Sequence, residues 1–442
     1  MLIEFKNFIK NQTLFKASDR ILLAVSGGVD SMVMLDLFAQ AQINCVVAHC
    51  NFGLRGADSD GDEAFVKEKS QSLGIQCVSK LFDTQNYADQ KGISIQMAAR
   101  ELRYAWFKEL LNTLNINYLA TAHHQNDNLE TILLNLLRGT GIAGLRGILP
   151  KKGKIVRPLL FATRNEIREY AAQNQIQWRE DYSNWENKYR RNLLRNEIIP
   201  ILKKINPNLD QSIGQTAERV RAVEVLFNKS IIKVKKILVK TDKNITYIPI
   251  EPFKKLSEPL IQLAELLKPF GFTYPQSKKI WNSVEQISGK IFSAKEYDLV
   301  KDRNQWVISP KIAFENLTWQ ITESTNSLPT PFFQLNIQIF DNQGIKNIKR
   351  DSKVAGLDFE KLKFPLEIRA WREGDYFYPL GMEHKKKISD FLIDLKIPLN
   401  LKKQVWVLTS EGKIAWVLGL RIDNRFKIKE KTKQVFELEM CV

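Results

Sequence analysis

Six residues, Ser26-Gly27-Gly28-Val29-Asp30-Ser31, stand between an apolar run at 21–25 and a stretch with helical spacing at 31–40. Two glycines let a ligand approach the backbone closely, and a helix start offers N–H groups that have no partner within the helix. The hydroxyls of Ser26 and Ser31 can add donors, so the stretch has the makings of an anion nest. It lacks the lysine that a Walker A loop requires. A carboxylate at Asp30, inside an anion site, has two readings. It holds a Mg²⁺ that bridges phosphates, or it only favours the positive end of the helix.

Further groups with chemical potential follow. Asp127 and Glu130 are three apart, so on a helix they share a face, with His123 four residues before Asp127. They suit handling of an amine substrate or support of a metal; the plain alternative is a solvated helix start. His123 and His124 lack the cysteine or second-turn histidine partners of a zinc site. Arg100 and Arg103 stand opposite the apolar stripe Ala98, Leu102, Trp106, Leu110, as a clamp for phosphate or as surface arginines. In NKYRRNLLR, Arg190, Arg191 and Arg195 lie near Tyr189 and Trp185. That mixture suits unpaired RNA bases, or a basic helix packed on acidic neighbours. Lys385-Lys386-Lys387 fits RNA phosphates or a solvated loop. Gly139 to Gly144 matches G-x-G-x-x-G, but it follows a helical stretch and not a strand, so it reads as a helix end.

The elements that must position these groups alternate. Strand-like runs at 21–25, 43–48, 75–81 and 118–122 are separated by helical patterns at 31–40, 59–73, 94–114 and 126–138. This is the pattern of an α/β fold with a doubly wound parallel sheet, whose ligands sit at the carboxyl ends of the strands. Thr163 and Glu166 form a capping box. Asn206-Pro207-Asn208 is a turn, residues 215–289 read as mainly helical, and 326–333 reads as a linker. A hairpin at 405–420 and a short helix before Pro398 belong to a small mixed α+β C-terminal domain. The expected domains are 1–214 (catalytic), 215–330 (helical) and 331–442 (mixed).

The chain of 442 residues is 44% hydrophobic, and 66 Lys plus Arg against 49 Asp plus Glu give +17, which favours a polyanionic partner such as nucleic acid. Cys45, Cys50, Cys77 and Cys441 contain no C-x-x-C pair. No apolar run is long enough to span a membrane and no signal peptide is legible, so a cytoplasmic protein is expected.

SGGVDS after a strand resembles the pyrophosphatase loop of the PP-loop superfamily, which splits ATP between its α and β phosphates. Four more stretches resemble the tRNA(Ile)-lysidine synthetase family. In AHCNFGLRG these are His49, Asn51, Gly53, Leu54 and Arg55, with Phe52 where a second histidine is usual. In AARELRYAWF they are Arg100, Arg103 and Tyr104. In TAHHQNDNLET they are Asp127, Glu130 and Thr131, with Asn126 where an aspartate is usual. Asp181, Ser183, Asn184, Arg191, Asn192, Arg195 and Pro200 complete the set, and the tail from Trp371 to Pro398 resembles the family's C-terminal module.

The resemblance implies a Rossmann-like N-type ATP pyrophosphatase domain that uses ATP and Mg²⁺. It implies ATP binding by Ser26, Gly27, Gly28, Val29, Asp30, Ser31 and His49, with Mg²⁺ at Asp30. It implies catalysis by Asp30, Arg100, Asp127 and Glu130, and lysine or tRNA binding by Arg103, Asp181, Arg191, Asn192 and Arg195. The implied partners are isoleucine tRNA with a CAU anticodon, free L-lysine, and a second copy in a homodimer. The implied reaction adenylates C2 oxygen of the wobble cytidine and then displaces AMP with the lysine amine, so that AUA is read instead of AUG and isoleucine is charged instead of methionine. Two alternatives remain. A PP-loop tRNA thiolase would want clustered cysteines, and an RNA-binding protein with an inactive loop would explain Asn126 and Phe52.

Overall fold

The computed structural model describes residues 1–179, 190–311, 317–342 and 351–441. It divides into two compact units, Met1–Phe227 and Asn228–Val442. No helix among the described residues is long and apolar enough to cross a membrane.

In the first unit the elements run α1 (Leu2–Asn11), β1 (Ile21–Ala24), α2 (Val29–Gln40), β2 (Cys45–Asn51), α3 (Ala57–Ser72), β3 (Cys77–Leu81), α4 (Thr84–Lys91), α5 (Ile95–Thr113), β4 (Tyr118–Thr121) and α6 (Gln125–Leu137). Then come α7 (Ile142–Leu145), β5 (Lys151–Lys152), β6 (Ile155–Val156), α8 (Arg164–Gln173), α9 (Arg190–Leu193), a π-helical turn (Leu194–Ile198), α10 (Ile199–Ile205) and the first part of α11 (Leu209–Leu238), which runs on past Phe227.

The sheet order is β3-β2-β1-β4-β6-β5, parallel throughout except for the β5–β6 pair. Side chains of β1 alternate between two cores. Ile21 and Leu23 pack with Phe5, Met34, Phe38 and Ile167, whereas Leu22 packs with Trp106, Phe107 and Leu111. A strand buried on both faces must be apolar at every position, which is why its sequence reads as a continuous run. The chain moves from β1 outward to β2 and β3, then returns to the other side of β1 for β4. That reversal opens a crevice between the carboxyl ends of β1 and β4, the place where such sheets hold ligands.

The second unit contains helices Ile250–Lys254, Pro259–Leu267 and Tyr274–Asn282 around Phe253, Leu263, Ile280 and Trp306. The region expected to be mainly helical also holds a five-stranded antiparallel sheet that includes Ile245–Pro249, Gln305–Pro310 and Tyr297–Asp302. Among the described residues two larger antiparallel sheets and a two-stranded one follow. Residues 326–333 are not a linker. Ser327–Pro329 pairs with Gln334–Asp341, and Phe332 and Phe333 set their rings 5.5 and 5.9 Å from Trp406. Packing of the two phenylalanines on Trp406 outweighs the loop tendency of Pro329 and Pro331. The expected boundaries at 214 and 330 therefore fall inside elements, the first within α11 and the second within this hairpin. The hairpin at 405–420 forms as expected, with Glu411 and Gly412 at φ 47° and 74° in its turn. The short helix Ile388–Asp394 ends before Pro398.

Candidate active site

The turn after β1 is shaped from within. Gly27 has φ +93°, which a side chain disfavours, and the Arg179 backbone N–H donates to its carbonyl at 3.0 Å. Ser31 Oγ donates to Gly28 O at 2.9 Å and accepts from Ser26 N–H at 3.1 Å. Ser31 thus builds the turn, and its proton is committed. No side chain caps α2, so its first N–H groups remain for an anion.

His49, buried at the end of β2, makes a 2.9 Å bond from Nδ1 to Val25 O. A carbonyl only accepts, so Nδ1 carries the hydrogen. Burial pushes the imidazole below its ordinary pKa, which keeps it neutral.

Asp30 lies in the first turn of α2. Burial raises its pKa, while the charges of His124, Arg164 and Arg195 pull the other way. Its Oδ2 is 3.8 Å from His124 Nε2, and its buried Oδ1 has no hydrogen-bond partner. An unpartnered buried carboxylate oxygen beside an anion nest suits one ligand of a Mg²⁺ that takes its remaining ligands from phosphates and water. No group of three or more potential metal ligands occurs among the described residues.

On the far side of the crevice, α6 starts just after β4. Asp127 Oδ2 accepts from the His124 backbone N–H at 3.0 Å and its Oδ1 from Arg191 Nη2 at 2.7 Å. Burial pushes Asp127 up, but His124, Arg191 and His123 outweigh that and hold it low, so it stays ionised. Glu130 is 1% exposed, and both its oxygens are taken by Arg191 and Arg195. The solvated helix start is thus ruled out for this pair. Arg191 and Arg195 instead form the basic helix packed on acidic neighbours. Arg195 lies in the π-helical turn, an insertion that often marks functional segments. His123 bonds through Nδ1 to Thr121 Oγ1 at 2.9 Å, and burial lowers its pKa to about 4.

These groups share one cleft of about 760 Å³. Its lining includes Ser26, Gly28, Val29, Asp30, Ser31, His49, Arg103, His123, Asp127 and Arg195. Gly27, Arg100, Glu130, Arg191 and Asn192 are not in the lining. Arg100 is exposed and sits 5.0 Å above the Tyr104 ring of its own helix, so the clamp expected from both arginines reduces to Arg103. Asn192 is half-buried. Asp181, with Ser183, Asn184, Trp185 and Tyr189, lies outside the described residues.

The two departures from the family pattern have structural partners. Phe52 stacks on Phe82 at 5.6 Å and carries the Arg103 guanidinium at 5.0 Å. Asn126 donates from Nδ2 to Asp210 at 2.8 Å and accepts at Oδ1 from the Arg164 backbone N–H at 2.8 Å, tying α6 to α8 and α11. Sequence reasoning missed Arg164 and Arg168, which also line the cleft; their spacing of four, just after the Thr163 cap, was the available signal.

Three family models match the chain: a PP-loop domain over residues 1–202, a TilS substrate binding domain over 241–311 and a TilS substrate C-terminal domain over 366–439. A solved structure, the U34-tRNA thiolase NcsA from Methanococcus maripaludis, is 20% identical and covers 49% of this chain and 78% of its own, with a TM-score of 0.41. The tRNA(Ile)-lysidine synthase of Bacteroides thetaiotaomicron is 39% identical over 431 residues, 97% of each chain. That of Parabacteroides distasonis is 37% identical over 438 residues, 98% of each chain. With such likeness running from end to end, the chain belongs to the tRNA(Ile)-lysidine synthase family.

Proposed function

We propose that this protein joins free L-lysine to C2 of the wobble cytidine in isoleucine tRNA with a CAU anticodon, using ATP and releasing AMP and pyrophosphate. The observation that carries the reading is the placement of Asp30, with its unpartnered Oδ1, in an uncapped helix start beside the cleft that also receives Asp127.

A cytosine carbonyl oxygen is a poor leaving group, and adenylation lets it depart as AMP. The N–H groups of Val29 and Asp30, at the uncapped start of α2, hold the outer phosphates. Mg²⁺, held by Asp30, would supply charge neutralisation for them. Arg103, planar and braced on Phe52, meets the negative charge that develops at the α phosphate. His49 fixes the end of β1 through Val25.

The lysine amine attacks only when neutral. Asp127, ionised and facing the cleft, orients the ammonium and takes its proton. Glu130 is a positioning residue, which acts through Arg191 and Arg195 to set Asp127. The basic excess favours the tRNA partner, and the homodimer expected from the family and the cytoplasmic location expected from the composition remain part of the reading.

Incubation of the protein with ATP, Mg²⁺, labelled lysine and CAU-anticodon tRNA tests it. Label should enter the RNA with one AMP released per lysine. Release of ADP and orthophosphate, or sulfur-dependent turnover, would overturn it.

A further inference from the structure

Arg164 and Arg168 stand one turn apart on α8, and both line the cleft. A spacing of four puts them on one helix face. Two of the backbone donors at this helix start are already used. Glu166 N–H goes to Thr163 Oγ1 at 3.3 Å and Arg164 N–H to Asn126 Oδ1 at 2.8 Å. An anion here would meet side chains and not backbone.

Among the described residues neither guanidinium has an ion pair or hydrogen bond of its own. The other arginines of the lining are engaged: Arg55 and Arg179 with Asp62, Arg195 with Glu130, and Arg103 over Phe52. Arg164 is half-buried, and its basicity is lowered by burial and then by the neighbouring Arg168 charge. Two adjacent like charges with no acid between them are held at a cost that a bound anion would offset. Arg164 and Arg168 share the lining of the cleft with Ser26, Gly28 and Asp30, which sets the pair in the same cavity as the turn after β1.

We propose that Arg164 and Arg168 form a second anion subsite, which binds the departing pyrophosphate next to Asp30. This rests on the reading that ATP is split between its α and β phosphates. As the base oxygen bonds to the α phosphorus, the bond from that phosphorus to the bridging oxygen breaks. Its electron pair leaves with the pyrophosphate, and the two guanidinium groups meet the added charge with paired donors for the non-bridging oxygens.

The test uses the full chain and its Arg164→Gln, Arg168→Gln and double variants, with Arg→Lys versions beside them. Calorimetry measures binding of magnesium pyrophosphate and of AMP, and filter binding measures CAU-anticodon tRNA. Each glutamine substitution should weaken pyrophosphate about tenfold or more, the scale of a charge-assisted hydrogen bond, while AMP and tRNA affinities hold within about twofold. Lysine should restore part of the loss. Should the double variant fail to fold, Arg168→Gln, at an exposed position, carries the test. Unchanged pyrophosphate affinity in the variants, or a fall in tRNA affinity in its place, overturns the subsite alone. A wild-type protein that neither binds nor releases pyrophosphate overturns both the subsite and the proposed reaction.

Discussion

Glu130 and Arg195 are joined by two hydrogen bonds, Nε to Oε1 at 2.5 Å and Nη2 to Oε2 at 3.0 Å, around a carboxylate that is 1% exposed. Arg191 adds a third at 2.5 Å. Such a cluster fixes geometry more than it adds net stability, yet removing one partner strands buried charge. Glu130→Gln should lower unfolding stability by about 3–5 kcal/mol, the usual scale for breaking a buried pair. Urea denaturation checks this, and an unchanged midpoint would count against the clamp.

Asp30→Asn keeps the size of the side chain and removes its charge. Turnover should vanish while tRNA affinity stays within about twofold, since Asp30 is assigned to the metal and not to RNA. Titrating Mg²⁺ against ATP binding should show the loss of metal dependence. Turnover that survives would remove Asp30 from the metal site.

Arg103 and Arg100 differ in placement despite their shared motif. Arg103→Ala should cost about 10²-fold in kcat/KM, as loss of a transition-state donor does, and Arg100→Ala less than about threefold. Steady-state kinetics with saturating tRNA decides. Equal losses would return Arg100 to the site.

Asn126→Asp restores the residue usual at this position, but here it should harm. The change removes the donor to Asp210 and sets two carboxylates against each other, at a cost of about 1–3 kcal/mol. Asp210→Asn in the same chain should recover much of the loss, which thermal melts would report.

His123 makes the fold sensitive to acid. Its pKa is about 4 in the folded chain against an ordinary 6.5, so the unfolded chain binds the proton first as pH falls. The stability from its neutral form is full above pH 6.5 and is lost on the way down to 4, a drop on the order of 2–3 kcal/mol. His123→Gln should flatten that part of the stability profile, and an unaltered slope would show that the imidazole titrates normally.

Strands β1, β2 and β4 were legible because each is an apolar run that faces two cores, as Ile21, Leu22 and Leu23 do, whereas β3, at the sheet edge, is only half-buried. The strand order was not, since nothing in the local pattern says that β4 returns to the far side of β1. The turn after β1 was visible from its glycines. The pairing of Arg191 and Arg195 with Glu130 joins segments 61 and 65 residues apart, and no spacing rule reaches that far. Helical periodicity found the Arg100–Arg103 face but could not tell which guanidinium the cleft would meet. In the middle region, short strands such as Ile245–Pro249 carry too few residues for alternation to stand out against neighbouring helices.

An imidazole at position 52 would change charge across mild acidity, and a guanidinium resting on it would lose its footing as the ring became cationic. The phenyl ring of Phe52 has no such proton, so the support it gives Arg103 is the same in weak acid as at neutrality. Substituting an aromatic hydrocarbon for a titratable ring in this way leaves the wall of the cleft with one fewer group that answers to the surrounding pH.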